Sequence, residues 1–137
     1  MFTQHCFIRK NNSRIIEKLK EIGLNPNIYD DFKRPWIAVN HNMFISVDEG
    51  FERLPIDDID CGDNEELFFA LAALRDDTNN HQWFIAQDTM WDENYYGEIT
   101  VYYEEGEWLL WNEYSFMEDM PSDFKKATVE EIIEHFK

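Results

Sequence analysis

Eight consecutive apolar residues, Leu67-Phe68-Phe69-Ala70-Leu71-Ala72-Ala73-Leu74, constrain this chain more than any other segment. The run is far shorter than the roughly 20 residues a bilayer-spanning helix needs. An element that is apolar on every side has no face to give to water, so the rest of the chain must surround it. Asp63, with Glu66 three residues later, reads as a capping-box start in which Asp replaces the usual Ser or Thr. The segment is therefore expected to be a central buried helix over roughly residues 64–74.

The flanking segments supply what surrounds it. "HCFIRK" reads as a short strand. In "NNSRIIEKLKEIGLNPN", Asn12 or Ser13 can cap a helix whose apolar face is Ile15, Ile16, Leu19 and Ile22. Gly23 is placed to end that helix in the left-handed conformation, with Leu24 folding back on Leu19. "WIAVNHNMFISV" reads as two strands about Asn40-His41-Asn42, and "HQWFIA" as another strand.

"GEITVYYEEGEWLLWNEY" predicts a second hairpin over residues 98–113, turning at Glu104-Glu105-Gly106 with Gly106 left-handed. That register sets Tyr103 against Glu107, Val101 against Leu109 and Ile99 against Trp111 on a core face. On the outer face it sets Tyr102 against Trp108, Thr100 against Leu110 and Glu98 against Asn112. A last helix starts at Thr128 with Glu131 completing a capping box, and buries Val129, Ile132, Ile133 and Phe136. The element order β-α-β-β-α-β-(β)-β-β-α predicts an α+β fold. A mainly antiparallel sheet built from hairpins is packed by about three helices, in one domain spanning residues 1–137.

Eleven Phe, six Tyr and five Trp argue against disorder in a chain this charged, because buried rings offset chain entropy. The formal net charge is −17, and it is uneven. Residues 1–34 carry seven Lys/Arg against four Asp/Glu, whereas from Gln87 to Asp123 there are eleven acids and no Lys or Arg. Such a surface repels phosphate backbones and anionic lipid, so neither direct nucleic-acid binding nor membrane binding is expected. A basic protein is the electrostatically favoured partner, and self-association remains open. The N-terminal residues lack the basic and apolar regions of a secretory signal, which points to a cytoplasmic protein with Cys6 and Cys61 as reduced thiols.

Motifs for chemistry are sparse. "DDIDCGDNEE" fails as an EF-hand in either register: from Asp58 the fifth position is Gly62, and from Asp57 the third is Ile59. The acids around Cys61 oppose a thiolate there. Cys6, Cys61, His5, His41, His81 and His135 show no zinc-ligand spacing, and no phosphate-binding or nucleophile-elbow motif occurs, so no metal, cofactor or catalytic residue is assigned. Arg75, Asp76, Asp77 and His81 form a possible polar site. Two carboxylates at a helix C-terminus oppose its partial negative charge, yet "RDDTNN" is also turn chemistry. A partner-binding patch is expected on the outer face of the 98–113 hairpin: Tyr102, Trp108 and Leu110, rimmed by Glu98, Glu104, Glu105 and Glu107.

At "CGDNEELFFALAALRDDTNNHQWF" and again at "KATVEEIIEHFK", the chain resembles a set of small uncharacterised acidic proteins encoded by gut bacteria and their phages or mobile elements. The resemblance covers about a quarter of the chain. It implies a mobile-element accessory role and carries no catalytic residues. Three functional expectations follow. One is a non-enzymatic acidic protein, such as an inhibitor, that binds a basic host protein by charge mimicry. Another is an accessory module that binds a partner or itself through the aromatic hairpin face. The third is an enzyme using Asp76, Asp77 and His81.

Overall fold

A computed structural model describes residues 2–40, 42–49, 58–78, 80–111 and 124–137. The fold is α+β with mainly antiparallel pairing, in the expected order, and several short strands join it. The chain forms two compact units, Met1–Thr78 with Val129–Lys137, and Asn79–Thr128.

The first unit contains the strands β1 (Cys6–Ile8), β2 (Asn25–Pro26), β3 (Trp36–Asn40), β4 (Met43–Val47) and β5 (Ile59–Asp60), and the helices α1 (Ser13–Ile22), α2 (Glu65–Ala72) and α3 (Val129–Phe136). The strands lie in the order β2-β4-β3-β1-β5. The β4-β3-β1 centre is antiparallel, and the two-residue strands β2 and β5 add parallel edges. Asn40 pairs with Met43, so the expected hairpin closes through a two-residue loop, of which His41 lies outside the described residues. Period-two alternation sorts the sheet into two faces. Cys6, Ile8, Ile37, Val39 and Phe44 are buried on one, and Phe7, Ala38 and Val47 pack with Trp36 and Ile45 on the other.

The apolar run sits where its composition demands. Seven of its eight residues are buried and Phe69 is half-buried, and α2 packs against β1, α1 and α3. Its start differs from the expected capping box. Asn64, not Asp63, is the cap, and its Oδ1 accepts from the Leu67 amide at 3.1 Å. Asn64 Nδ2 also donates to the Phe136 carbonyl near the end of α3. A carboxylate could not supply that donor, which is a physical reason for an amide in this position. The helix stops at Ala72, two residues earlier than expected. Leu74 then bonds back to the Leu71 carbonyl, and its own carbonyl accepts from Thr3.

The first helix follows expectation closely. Asn12 Oδ1 accepts from the Ile15 amide, and Ile15, Leu19 and Ile22 are buried. Gly23 has φ 109°, with its amide on the Lys20 carbonyl and the Leu24 amide on that of Leu19. Those two bonds are the Schellman pair, and a left-handed residue is what makes them possible. In α3, Ile132 is fully buried while Val129, Ile133 and Phe136 are half-buried.

The second unit contains β6 (Trp83–Ala86), β7 (Met90–Glu93), β8 (Ile99–Tyr103), β9 (Trp108–Leu110) and β10 (Phe124–Lys126). Antiparallel β10-β6-β9 form one sheet and antiparallel β7-β8 a separate ribbon. This corrects the expected 98–113 hairpin: β8 pairs with β7, and β9 pairs with β6, so Tyr102 does not face Trp108. The turn at its centre does form. Glu107 bonds back to the Glu104 carbonyl, and Gly106 takes φ 91°, but the turn passes the chain from the ribbon to the sheet. Phe84, Ala86, Trp111 and Phe124 make this unit's core, with Tyr103 and Leu109 packed against it. Residues 112–123, including Asn112, lie outside the described residues.

Candidate protein-interaction surface

The β7-β8 ribbon presents rings to solvent. Trp91 and Tyr102 are directly opposite each other in the antiparallel register, so their side chains share one face, and they are 58% and 51% exposed. The neighbouring residue Tyr103 points the other way, with its ring edge-on to Phe124 at 5.2 Å between centroids. One side of β8 is thus anchored in a core, which leaves Tyr102 on the outer side.

The ribbon turns through Asn94-Tyr95-Tyr96-Gly97-Glu98. Asn94 Oδ1 accepts from the amides of Tyr96 and Glu98, and the Asn94 amide and carbonyl bond to Glu98 and Gly97. This Asx-type turn projects Tyr95 and Tyr96, edge to face at 5.5 Å and almost fully exposed. Ile99 is 60% exposed beside them. Monomeric proteins rarely leave contiguous ring area bare without a use for it.

Carboxylates surround these rings. Glu93, Glu98, Glu104, Glu105 and Glu107 are all exposed. The Tyr102 hydroxyl donates to Glu104 Oε1 at 3.4 Å. Partial desolvation, then the charge and hydrogen bond of Glu104 and the charge of Glu107, raise the phenol's pKa, so Tyr102 stays a neutral donor. Ring faces carry negative quadrupole potential, and here they stand among negative side chains. The chemistry this surface favours is recognition of cations.

Of the expected patch, Tyr102 lies on the ribbon. Trp108 and Leu110 lie on the outer face of the β6-β9 sheet, opposite Ile85 and Trp83. Trp108 is half-buried with its ring edge toward Trp83, and Leu110 is partly exposed. Trp91, Tyr95 and Tyr96 are not among the residues the sequence points to, and Ile99, expected on the core face opposite Trp111, is instead exposed and pairs with Glu93. The signal for the three rings was "MWDENYYGEI": Trp91 ahead of a turn from Asn94 to Gly97 that carries Tyr95 and Tyr96 within it, among acids.

Arg75 and Asp77 are bound to each other in the first unit. Arg75 Nε and Nη2 meet Asp77 Oδ1 and Oδ2 at 2.6 and 2.8 Å, and its guanidinium lies 4.5 Å above the Phe2 ring. Arg75 also bridges to Phe2 through the backbone. The guanidinium beside Asp77 holds that carboxyl well below its usual range. This arrangement secures the N-terminal segment to the chain following α2. Asp76 is exposed at the same turn. His81 belongs to the second unit, in a turn before β6, with a left-handed φ of 61° and its amide on the Trp111 carbonyl.

Cys6 and Cys61 are buried free thiols brought together by the β1-β5 pairing. Burial first, then contact with Cys61, pushes the Cys6 thiol well up, which makes it a poor nucleophile. Among the described residues, no group of three or more His, Cys, Asp or Glu could hold a metal ion, and no helix is long and apolar enough to cross a membrane. No family model, curated protein or solved structure matches the chain.

Proposed function

We propose that this protein is a non-enzymatic, acidic interaction protein that binds a basic partner protein, in the manner of an accessory or inhibitor encoded by a mobile element. The supporting observation is the exposed aromatic ribbon, Trp91 and Tyr102 with Tyr95 and Tyr96, set in a stretch with eleven acids and no Lys or Arg. Carboxylates steer a cationic partner from a distance, and the rings supply apolar area at contact. Nucleic-acid-binding proteins present the required positive surface. Duplex DNA offers them one negative charge per roughly 1.7 Å of axis, which ordered carboxylates can imitate.

The test is binding to a panel of basic nucleases and transcription proteins across a salt series. Affinity is expected to fall steeply as salt rises, and nucleic acid is expected to compete. A partner whose affinity is indifferent to salt would rule out charge mimicry.

A further inference from the structure

Twice in its first unit, this chain holds an arginine by the same two devices. Arg9 lies 4.9 Å from the centroid of the Trp36 ring while its Nε meets both oxygens of Asp60 at 3.1 Å. Arg75 lies 4.5 Å from the Phe2 ring while its guanidinium grips Asp77 with two bonds. In each case the guanidinium carbon lies over an aromatic ring while a carboxylate bonds its N–H groups. Arginine suits this arrangement better than lysine, because its planar fork can stack and make two parallel hydrogen bonds together.

The outer face of the ribbon offers the same two devices. Trp91 and Tyr102 supply adjacent exposed ring faces, and Glu104 reaches the Tyr102 hydroxyl from the same side. Glu93, two residues after Trp91 on β7, is exposed as well. No Lys or Arg occurs between Gln87 and Asp123. We propose that the β7-β8 ribbon is a receptor for an arginine side chain presented by an extended segment of the basic partner, seated on Trp91 and Tyr102 and gripped by Glu104. This rests on the proposed function and adds the partner's recognised residue.

The experiment uses the full chain and three peptides of one length, alternating glycine with arginine, with lysine, or with citrulline, the uncharged relative of arginine. Affinities are measured at low and at moderate salt for the native protein, Trp91→Ala and Tyr102→Ala. An exposed ring–cation contact is worth about 0.5–1 kcal/mol, or roughly two- to fivefold in affinity. The arginine peptide is expected to bind about two- to fivefold more tightly than the lysine peptide, and the citrulline peptide much more weakly than either. Either substitution should shrink the preference for arginine. If a variant fails to fold, the Trp91 indole resonance of the native protein serves instead: it should shift with the arginine peptide and much less with the lysine peptide. Equal binding of the two cationic peptides, or an arginine preference that survives both substitutions, would overturn the receptor while leaving the basic-partner reading intact. Failure of every cationic peptide to bind at low salt would remove both.

Discussion

Asn64 joins the ends of two helices through one side chain: its oxygen caps the start of α2 and its amide satisfies a carbonyl at the end of α3. Asn64→Ala removes both bonds. A lost cap costs about 1 kcal/mol and a lost partner for a backbone carbonyl about another, so chemical denaturation should show a loss of roughly 2 kcal/mol. Asn64→Asp keeps the capping oxygen and loses the donor, and should cost about half as much. The sequence pointed one residue away, to Asp63, because Asp and Asn are equal candidates for a cap as long as only the cap is considered. What separates them is a carbonyl 72 residues further along the chain. The cap and stop signals of α1 involve only neighbours, and Asn12, Gly23 and Leu24 all stand where the sequence places them. Arg75-Asp76-Asp77 shows the reverse difficulty. Its residue types suit a site or a turn equally, and the ring of Phe2 beneath Arg75 is what shows the structural use.

At the scale of elements, α2 is the packing centre of the first unit. Phe68 is fully buried with its ring tilted against Phe69. Phe68→Ala should cost about 3–5 kcal/mol, measured by denaturant unfolding, because the enclosing elements cannot collapse fully into the space left behind. The helix was legible because eight apolar residues in a row admit few other solutions. The strands were legible in a different way. In the second unit alternation correctly assigned Tyr103, Leu109 and Trp111 to a core and Tyr102 and Leu110 to the outside but put the exposed Ile99 inside, and the partners assigned to β8 and β9 were wrong. Side-chain alternation says which way a strand faces, while every residue offers the same backbone donor and acceptor to any neighbour. A good turn at Glu104–Glu107 therefore did not guarantee a hairpin. Of the candidate site's rings only Tyr102 was legible as outward-facing, and its grouping with Trp91 on one ribbon depended on β7 rather than β9 being the neighbour of β8.

For the whole molecule, two electrostatic effects act in opposite directions. Several carboxyls are held below their ordinary range by their surroundings. At Asp60 and Asp77 the arginine partner is the main cause. At Asp30, burial pushes the group up, but the amides of Ser46 and Phe32, the Ser46 hydroxyl and the charge of Arg34 together bring it down. Glu65 is likewise raised by burial and brought lower by Arg14 and Lys10. A depressed carboxyl contributes stability above its unfolded value of about 4, and that contribution is lost as pH falls through the lower folded values. Thermal melts should therefore show stability falling steeply below about pH 4. Near neutral pH, mutual repulsion within a net charge of −17 dominates. Added salt screens it, so the melting temperature at pH 7 should rise with ionic strength, even as affinity for a basic partner falls.

The amino-acid sequence alone determined the fold class, the buried central helix, the limits of the first helix and the facing of most strand residues. Each of these follows from residue type and from interactions over a few positions. It also determined the field around the molecule, because charge adds up wherever the residues end up. Only the tertiary structure decided which strands lie beside β8 and β9, which residue caps α2 and which rings stand together on one surface. Those outcomes depend on contacts between residues distant in the chain, where many partners are chemically equivalent and packing makes the choice.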